Sequence, residues 1–310
     1  MNKGPQNQIY QKPPNLSVGD TIGIVSTARK ISKEEIAAAK RIIQDLGYKV
    51  VFGNHLFGEY HQFSGTAEER AEDLNDMYVN PDIKAILCAR GGYGTVQLLP
   101  LLKQEYIKKN QKWLIGYSDV TVLHSYLHQQ HNIQTLHATM PINFSSYTID
   151  DEPIISMFKV LKGESLTYKL PTNSLNIKGE AEGVLVGGNL SILYSLRGTL
   201  ADIDTQGKIL FIEDLDEYLY HIDRMMMNLK VGDKLKNLKA LIVGGMSDMN
   251  DNAIPYGQTA KEIILDAVRE YNYPVIFDFP AGHIQKNFAL PLGQIVRLTV
   301  ENDNTQLTFL

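Results

Sequence analysis

The sequence predicts an α/β protein whose N-terminal half is a doubly wound parallel sheet. Three observations carry that expectation. Short, continuous apolar runs such as Thr21 to Ser26 and Ile83 to Cys88 fit strands buried on both faces. Helical patterns alternate with these runs, and strand-helix-strand order implies right-handed crossovers in a parallel sheet. The periodicity then lapses between residues 145 and 180 and resumes beyond, which divides the chain into two units.

Taken in order, residues 1–17 read as a loose tail that becomes ordered near Pro13-Pro14. After the strand at Thr21, Ser32 with Glu35 three residues on opens a helix whose apolar stripe is Ile36, Ala39, Ile42, Ile43 and Leu46, ended by Gly47. Lys49 to Phe52 is the next strand. Thr66 and Glu69 form a second capping box, before a helix through Leu74 and Met77. Ile83 to Cys88 returns as a strand, Thr95 to Leu102 as a helix, Trp113 to Ile115 as a strand, Asp119 to Gln130 as a helix and Gln134 to His137 as a strand. The α/β unit is assigned to 18–145, a linker to 146–180 and the second unit to 181–310. In the latter, strands are expected at Gly183 to Val186, Ile209 to Ile212, Ala240 to Val243, Val275 to Phe277, Val296 to Val300 and Leu307 to Leu310, with a helix over Ala260 to Arg269.

Composition excludes several classes. The chain has 310 residues and a formal net charge of −5, without a Lys/Arg cluster, so neither nucleic acid nor an anionic membrane is an expected partner. The start has no apolar signal-like region and no run approaches a membrane span. The single cysteine, Cys88, allows no internal disulfide and no cysteine-based metal site, which suits a reducing, cytoplasmic setting. None of the eight histidines pairs with another at a metal-ligand spacing, so no metal or other cofactor is expected. His55, His61, His128 and His131 lie in polar surroundings and read as surface residues.

Two turns at strand ends bear on chemistry. At Gly116-Tyr117-Ser118-Asp119 an apolar strand stops and a helix begins, with Val120, Leu123 and Leu127 on one face. A serine there either caps the helix or is a nucleophile pushed out at the strand's carboxyl end, beside helix N–H groups that face a developing oxyanion. Arg90-Gly91-Gly92-Tyr93-Gly94 ends the preceding strand in the same way. It has neither the dinucleotide spacing nor a P-loop lysine, and a tight turn explains it equally well. Ligands of open α/β sheets sit outside the carboxyl ends of the strands, so the backbone N–H groups of Gly92 and Asp119 can share one oxyanion. In the second unit Glu213 emerges at a strand end, either paired with Arg224 or a lysine, or held for chemistry. His283 follows Pro280-Ala281-Gly282 on a loop, and composition does not single it out.

Six motifs in order, ARGGYG (89–94), IGYSD (115–119), GGNL (187–190), LFIED (210–214) with YHIDR (220–224), Gly282-His283 with Asn287, and LPLG (290–293), resemble the LD-carboxypeptidase family from about Gly19 to Leu310. That family includes muramoyl-tetrapeptide carboxypeptidases and microcin C self-immunity hydrolases. The resemblance implies a Ser-His-Glu serine peptidase with Ser118 as nucleophile, His283 as base and Glu213 as acid, and an oxyanion hole from Gly92 and Asp119. It implies an N-terminal domain like that of class I glutamine amidotransferases, a smaller β-rich C-terminal domain and a homodimer. The implied substrate is a small peptide, the murein tetrapeptide, cut at the L,D-amide that holds its terminal D-alanine. Arg90, Arg224, Gly188 and Asn189 are candidates for its carboxylate, each as easily structural. His137-Ala138 departs from the His-Gly common in the family. The rival readings are a microcin-type hydrolase of a peptidyl-nucleotide amide and a non-catalytic small-molecule-binding module.

Overall fold

A computed structural model describes residues 10–310. In the first half, strands β1 (Thr21–Val25), β2 (Lys49–Phe52), β3 (Ile83–Cys88), β4 (Trp113–Gly116) and β5 (Thr135–His137) alternate with helices α1 (Lys33–Asp45), α2 (Ala67–Val79), α3 (Gln104–Lys109) and α4 (Thr121–His131). The strands stack in the parallel order β2-β1-β3-β4-β5, so the strand order reverses between β1 and β3, and ligands of such open sheets bind outside the carboxyl ends of the strands. Both expected capping boxes form. Ser32 Oγ accepts from Glu35 N at 3.2 Å and Thr66 Oγ1 from Glu69 N at 3.3 Å, while each glutamate reaches back to the cap N–H. The α1 stripe Ile36, Ala39, Ile42 and Ile43 is buried under the sheet.

The second half holds α5 (Glu152–Lys162), β6 (Thr167–Leu170), β7 (Gly179–Asn189), α6 (Leu190–Ser195), β8 (Ile209–Leu215), α7 (Leu219–Val231), β9 (Ala240–Ser247), α8 (Ala260–Val268), β10 (Val275–Ile276), β11 (Leu290–Leu292), β12 (Ile295–Val300) and β13 (Thr305–Phe309). Its sheet runs β10-β9-β8-β7-β12-β13-β6. The β10-to-β7 part is parallel and the remainder antiparallel. The short β11 leaves this unit and pairs antiparallel with β5, on the edge of the first sheet.

Several expectations are corrected. Residues 1–9 of the expected tail lie outside the described residues, but Tyr10 and Leu16 are buried and Gln11 bridges Ile133. The stretch 146–180 is not a patternless linker. It carries α5, started by Pro153 in its first turn and ended at Gly163 in a left-handed conformation, and then edge strand β6. The helix expected at Thr95 is a 3₁₀ turn, Thr95–Leu101, with Pro100 inside it. His128 is fully buried against Tyr10 and Thr135 rather than at the surface. Helix α4 is buried from Thr121 to His128 on all sides, because β7 and α6 of the second unit cover the face turned away from the first sheet.

Candidate active site

Ser118 sits where β4 gives way to a 3₁₀ turn, Ser118–Val120, and then to α4. Its φ is +63°, a left-handed value uncommon for a residue with a Cβ and found where a side chain is forced out of a turn. Neither the turn nor α4 has a side-chain cap, so capping does not account for this serine. Its Oγ lies 3.0 Å from His283 Nε2.

Glu213 is buried near the end of β8, and a register shift between Ile212 and Asp214 marks a bulge at that point. Both faces of β8 are covered, so Glu213 and Asp214 are buried like the four residues that precede them. Glu213 Oε2 accepts two bonds from His283, one from Nδ1 at 2.7 Å and one from the backbone N at 3.1 Å. Gly282, with φ +105°, makes the approach possible, since a Cβ there would lie 2.6 Å from Glu213 Oε2. The Nδ1–H donated to Glu213 leaves Nε2 as the acceptor for Ser118, the tautomer a general base requires.

The electrostatics agree with the geometry. Burial pushes the Glu213 pKa up, but the His283 charge, its hydrogen bonds and the nearby His137 outweigh it and hold Glu213 below the usual carboxylate range. Burial pulls His283 down, and the Glu213 charge and hydrogen bond, with Asp214 behind, more than offset that and raise it. Asp214 is pushed up to about 7 by burial and then by Glu213. Its carboxylate accepts from Asn189 Nδ2, Ser191 N and Leu215 N, each at 2.9 Å, and so ties the start of α6 to the strand that bears Glu213. The sequence reading missed Asp214; its signal was a second carboxylate directly after an apolar run.

The two halves meet at this point. Asn189 N donates to Thr121 Oγ1 at 3.0 Å, and a Cβ on Gly188 would meet that hydroxyl at 2.5 Å. Gly91 backs onto the Ser118 turn, where a Cβ would lie 2.8 Å from Ser118 Cβ and 3.5 Å from Asp119 N. Gly92 is exposed beside it. The His283 ring packs on Tyr117, with centroids 4.8 Å apart, and the Tyr117 hydroxyl donates to Asn143 at 3.1 Å.

The other candidates are engaged elsewhere. Arg90 contacts Glu35 and the Lys30 carbonyl, both at 3.4 Å. Arg224 does not pair with Glu213; its guanidinium lies 5.1 Å over the Tyr220 ring. Asn189 caps α6 and holds Asp214. Among the described residues no group of three His, Cys, Asp or Glu side chains is placed to hold a metal ion.

Comparison with known proteins gives the site a context. Residues 22–138 match the model of the LD-carboxypeptidase N-terminal domain and residues 182–298 that of the LD-carboxypeptidase C-terminal domain. A Bacillus subtilis protein named "Probable murein peptide carboxypeptidase" is 35% identical, spanning 91% of this chain and 89% of its own. The Microcin C7 self-immunity protein MccF of Escherichia coli is 30% identical over 94% of each. The crystal structure of muramoyltetrapeptide carboxypeptidase from Oxalobacter formigenes superposes with a TM-score of 0.86 at 26% identity, covering 93% of this chain and 98% of that one.

Proposed function

This chain belongs to the LD-carboxypeptidase family of serine-type carboxypeptidases, and from that premise we propose that it removes the terminal D-alanine of murein tetrapeptides by hydrolysing an L,D-amide. The observation that carries the reading is the unbroken relay from Ser118 Oγ through His283 to Glu213, with links of 3.0 and 2.7 Å. In it, His283 Nε2 takes the Ser118 proton as Oγ bonds to the scissile carbonyl carbon. The carbonyl oxygen becomes an oxyanion facing the N–H groups of Gly92 and Asp119. Collapse breaks the C–N bond, His283 returns the proton to the departing amine of D-alanine, and a water repeats the sequence on the acyl-enzyme. Glu213 keeps Nδ1 protonated and stabilises the imidazolium.

The relay joins residues of both halves, so the reading places the substrate in the crevice between them. The likeness to MccF supports a second reading, cleavage of a peptidyl-nucleotide amide. Trp113 offers no stacking face for a base, since it is fully buried in β4. The deciding experiment incubates the purified protein with lysine- and diaminopimelate-containing tetrapeptides and, separately, with a peptidyl-nucleotide amide, and follows D-alanine or free nucleotide by mass spectrometry. Release of D-alanine from neither tetrapeptide sinks the first reading. The same reading makes the enzyme a cytoplasmic homodimer. The free, buried Cys88 supports a reducing compartment, and the exposed Tyr220, Met227 and Val231 of α7 support an apolar contact between copies. A monomer mass in sedimentation overturns the dimer.

A further inference from the structure

We propose that Arg70 is a positioning residue that, together with the Asp119 carboxylate, brackets the 90–94 loop and so fixes the two oxyanion N–H groups relative to one another. The inference rests on the catalytic reading above. Arg70, on α2, is 1% exposed. A buried guanidinium is costly unless its donors are satisfied, and these are satisfied by neutral acceptors of the chain rather than by a bonded acid. Nη1 donates to Thr27 O at 2.6 Å and to Gly94 O at 3.0 Å, Nη2 to Gln97 Oε1 at 2.7 Å and Nε to Thr66 O at 3.2 Å. The group also lies 4.9 Å over the Phe63 ring, so its plane and position are set.

The held segment needs such a clamp. Gly92 and Gly94 have φ of +112° and +131°, and a backbone with three glycines in four residues has no side-chain rotamers to lock it. On its N-terminal side, Arg29 N donates to Gly91 O at 3.4 Å. On its C-terminal side, Arg70 holds Gly94 O, and Asp119 Oδ2 accepts from Thr95 N at 2.8 Å. Thr95 Oγ1 in turn bonds Thr27 Oγ1 at 3.0 Å, closing the bracket on the residue whose carbonyl Arg70 also holds. Asp119 therefore joins the two halves of the hole: its own N–H follows the nucleophile, and its carboxylate grips the residue after the loop that carries Gly92. The approach is close because residue 94 has no side chain: a Cβ at Gly94 would meet Arg70 Nη1 at 2.8 Å.

The test compares Arg70→Lys and Arg70→Met with wild type. The bracket predicts that kcat per folded enzyme falls about 10²-fold in Arg70→Met, with KM changed by less than about 3-fold, because displaced oxyanion donors are felt only in the transition state. Arg70→Lys keeps the charge but not the fork, and falls in between. Affinity for a peptide boronic acid, which bonds the serine and places a tetrahedral oxygen in the hole, drops in parallel with kcat. Tetrapeptide affinity in a Ser118→Ala background stays unchanged. A purely structural arginine lowers the melting temperature but leaves the ratio of boronic-acid to tetrapeptide affinity at the wild-type value, and that result overturns the proposal. If Arg70→Met does not fold, Arg70→Lys and Gln97→Leu carry the same readouts at smaller scale. Wild-type enzyme that spares the tetrapeptide and cleaves a peptidyl-nucleotide amide refutes the substrate reading alone, and the Arg70 series is then read on that amide.

Discussion

Replacing Gly282 by alanine adds one methyl group that has no part in the chemistry, yet the structure places it against the carboxylate that orients the base. The new Cβ would start 2.6 Å from Glu213 Oε2 and 2.7 Å from Glu213 Cβ, whereas ordinary contact begins at 3.4 Å. The loop carrying His283 and the end of β8 must therefore part by roughly 0.8 Å, and the 2.7 Å bond between His283 Nδ1 and Glu213 lies across that gap. A displacement of about 1 Å at a catalytic group can cost about 10²-fold in rate, so kcat should fall by about that factor with KM nearly constant. Alanine at φ +105° also strains the backbone by about 1–3 kcal/mol, which lowers the melting temperature without by itself explaining the lost rate. Gly19→Ala separates the two effects. Gly19 has φ +95°, and a methyl group there would meet no atom within 4 Å, so its variant should lose stability and keep full kcat. Steady-state hydrolysis and thermal melts on both variants are the assay. Gly282→Ala with kcat within about 3-fold of wild type would refute the reasoning, because the histidine would then not depend on its close contact with Glu213.

Other perturbations address the relay and its surroundings. Ser118→Ala should abolish turnover and leave substrate binding close to wild type by calorimetry, and His283→Ala should cost as much, with the double variant no worse than either, since such groups act as a unit. His283 must be neutral to accept the serine proton, and its pKa is raised above 6.5. The acid limb of kcat/KM should therefore lie above pH 6.5, with activity rising as pH rises through it. Glu213→Gln removes the negative charge responsible; the limb should move to lower pH while the plateau falls about 10³–10⁴-fold, and an unmoved limb would assign it to another group. Treatment with a chelator should leave the rate unchanged, since Ser118, His283 and Glu213 complete a proton path by themselves; loss of activity restored by added metal would contradict this.

Most of the order of strands and helices in the first half was legible because each signal is local; the exception is the β3-to-β4 connection, whose helix is α3 at Gln104–Lys109, where none was expected, and not at Thr95. Ser32 with Glu35 and Thr66 with Glu69 cap their own helices, and the continuous apolar runs of β1, β3 and β4 need only know that both faces are covered. The turn at Ser118 was legible for the same reason, as an apolar strand meeting a helix start. Even so, local pattern could not separate its two meanings, cap or nucleophile; only the likeness of six motifs to a known family pointed to the nucleophile. The 3.0 Å bond to His283 spans 165 residues, and no periodicity records it.

What the sequence by itself determined, then, is which segments bury an apolar side and where they stop: the alternating first half, the turns after β3 and β4, and Glu213 at the end of β8. The tertiary structure alone decided what covers them. It set His283 against Glu213 at 2.7 Å, a pairing that the family resemblance implied and local pattern left open against Arg224, laid β11 on the edge of the other sheet, covered α4 from Thr121 to His128 and turned α5 from apparent linker into packed helix. The physical reason is that apolar patterning encodes a face and its period, while the group that meets the face is fixed by sheet order, register and a bulge. Those are properties of contacts between distant segments, and residues such as Asp214 and Arg70 become readable only once the contacts exist.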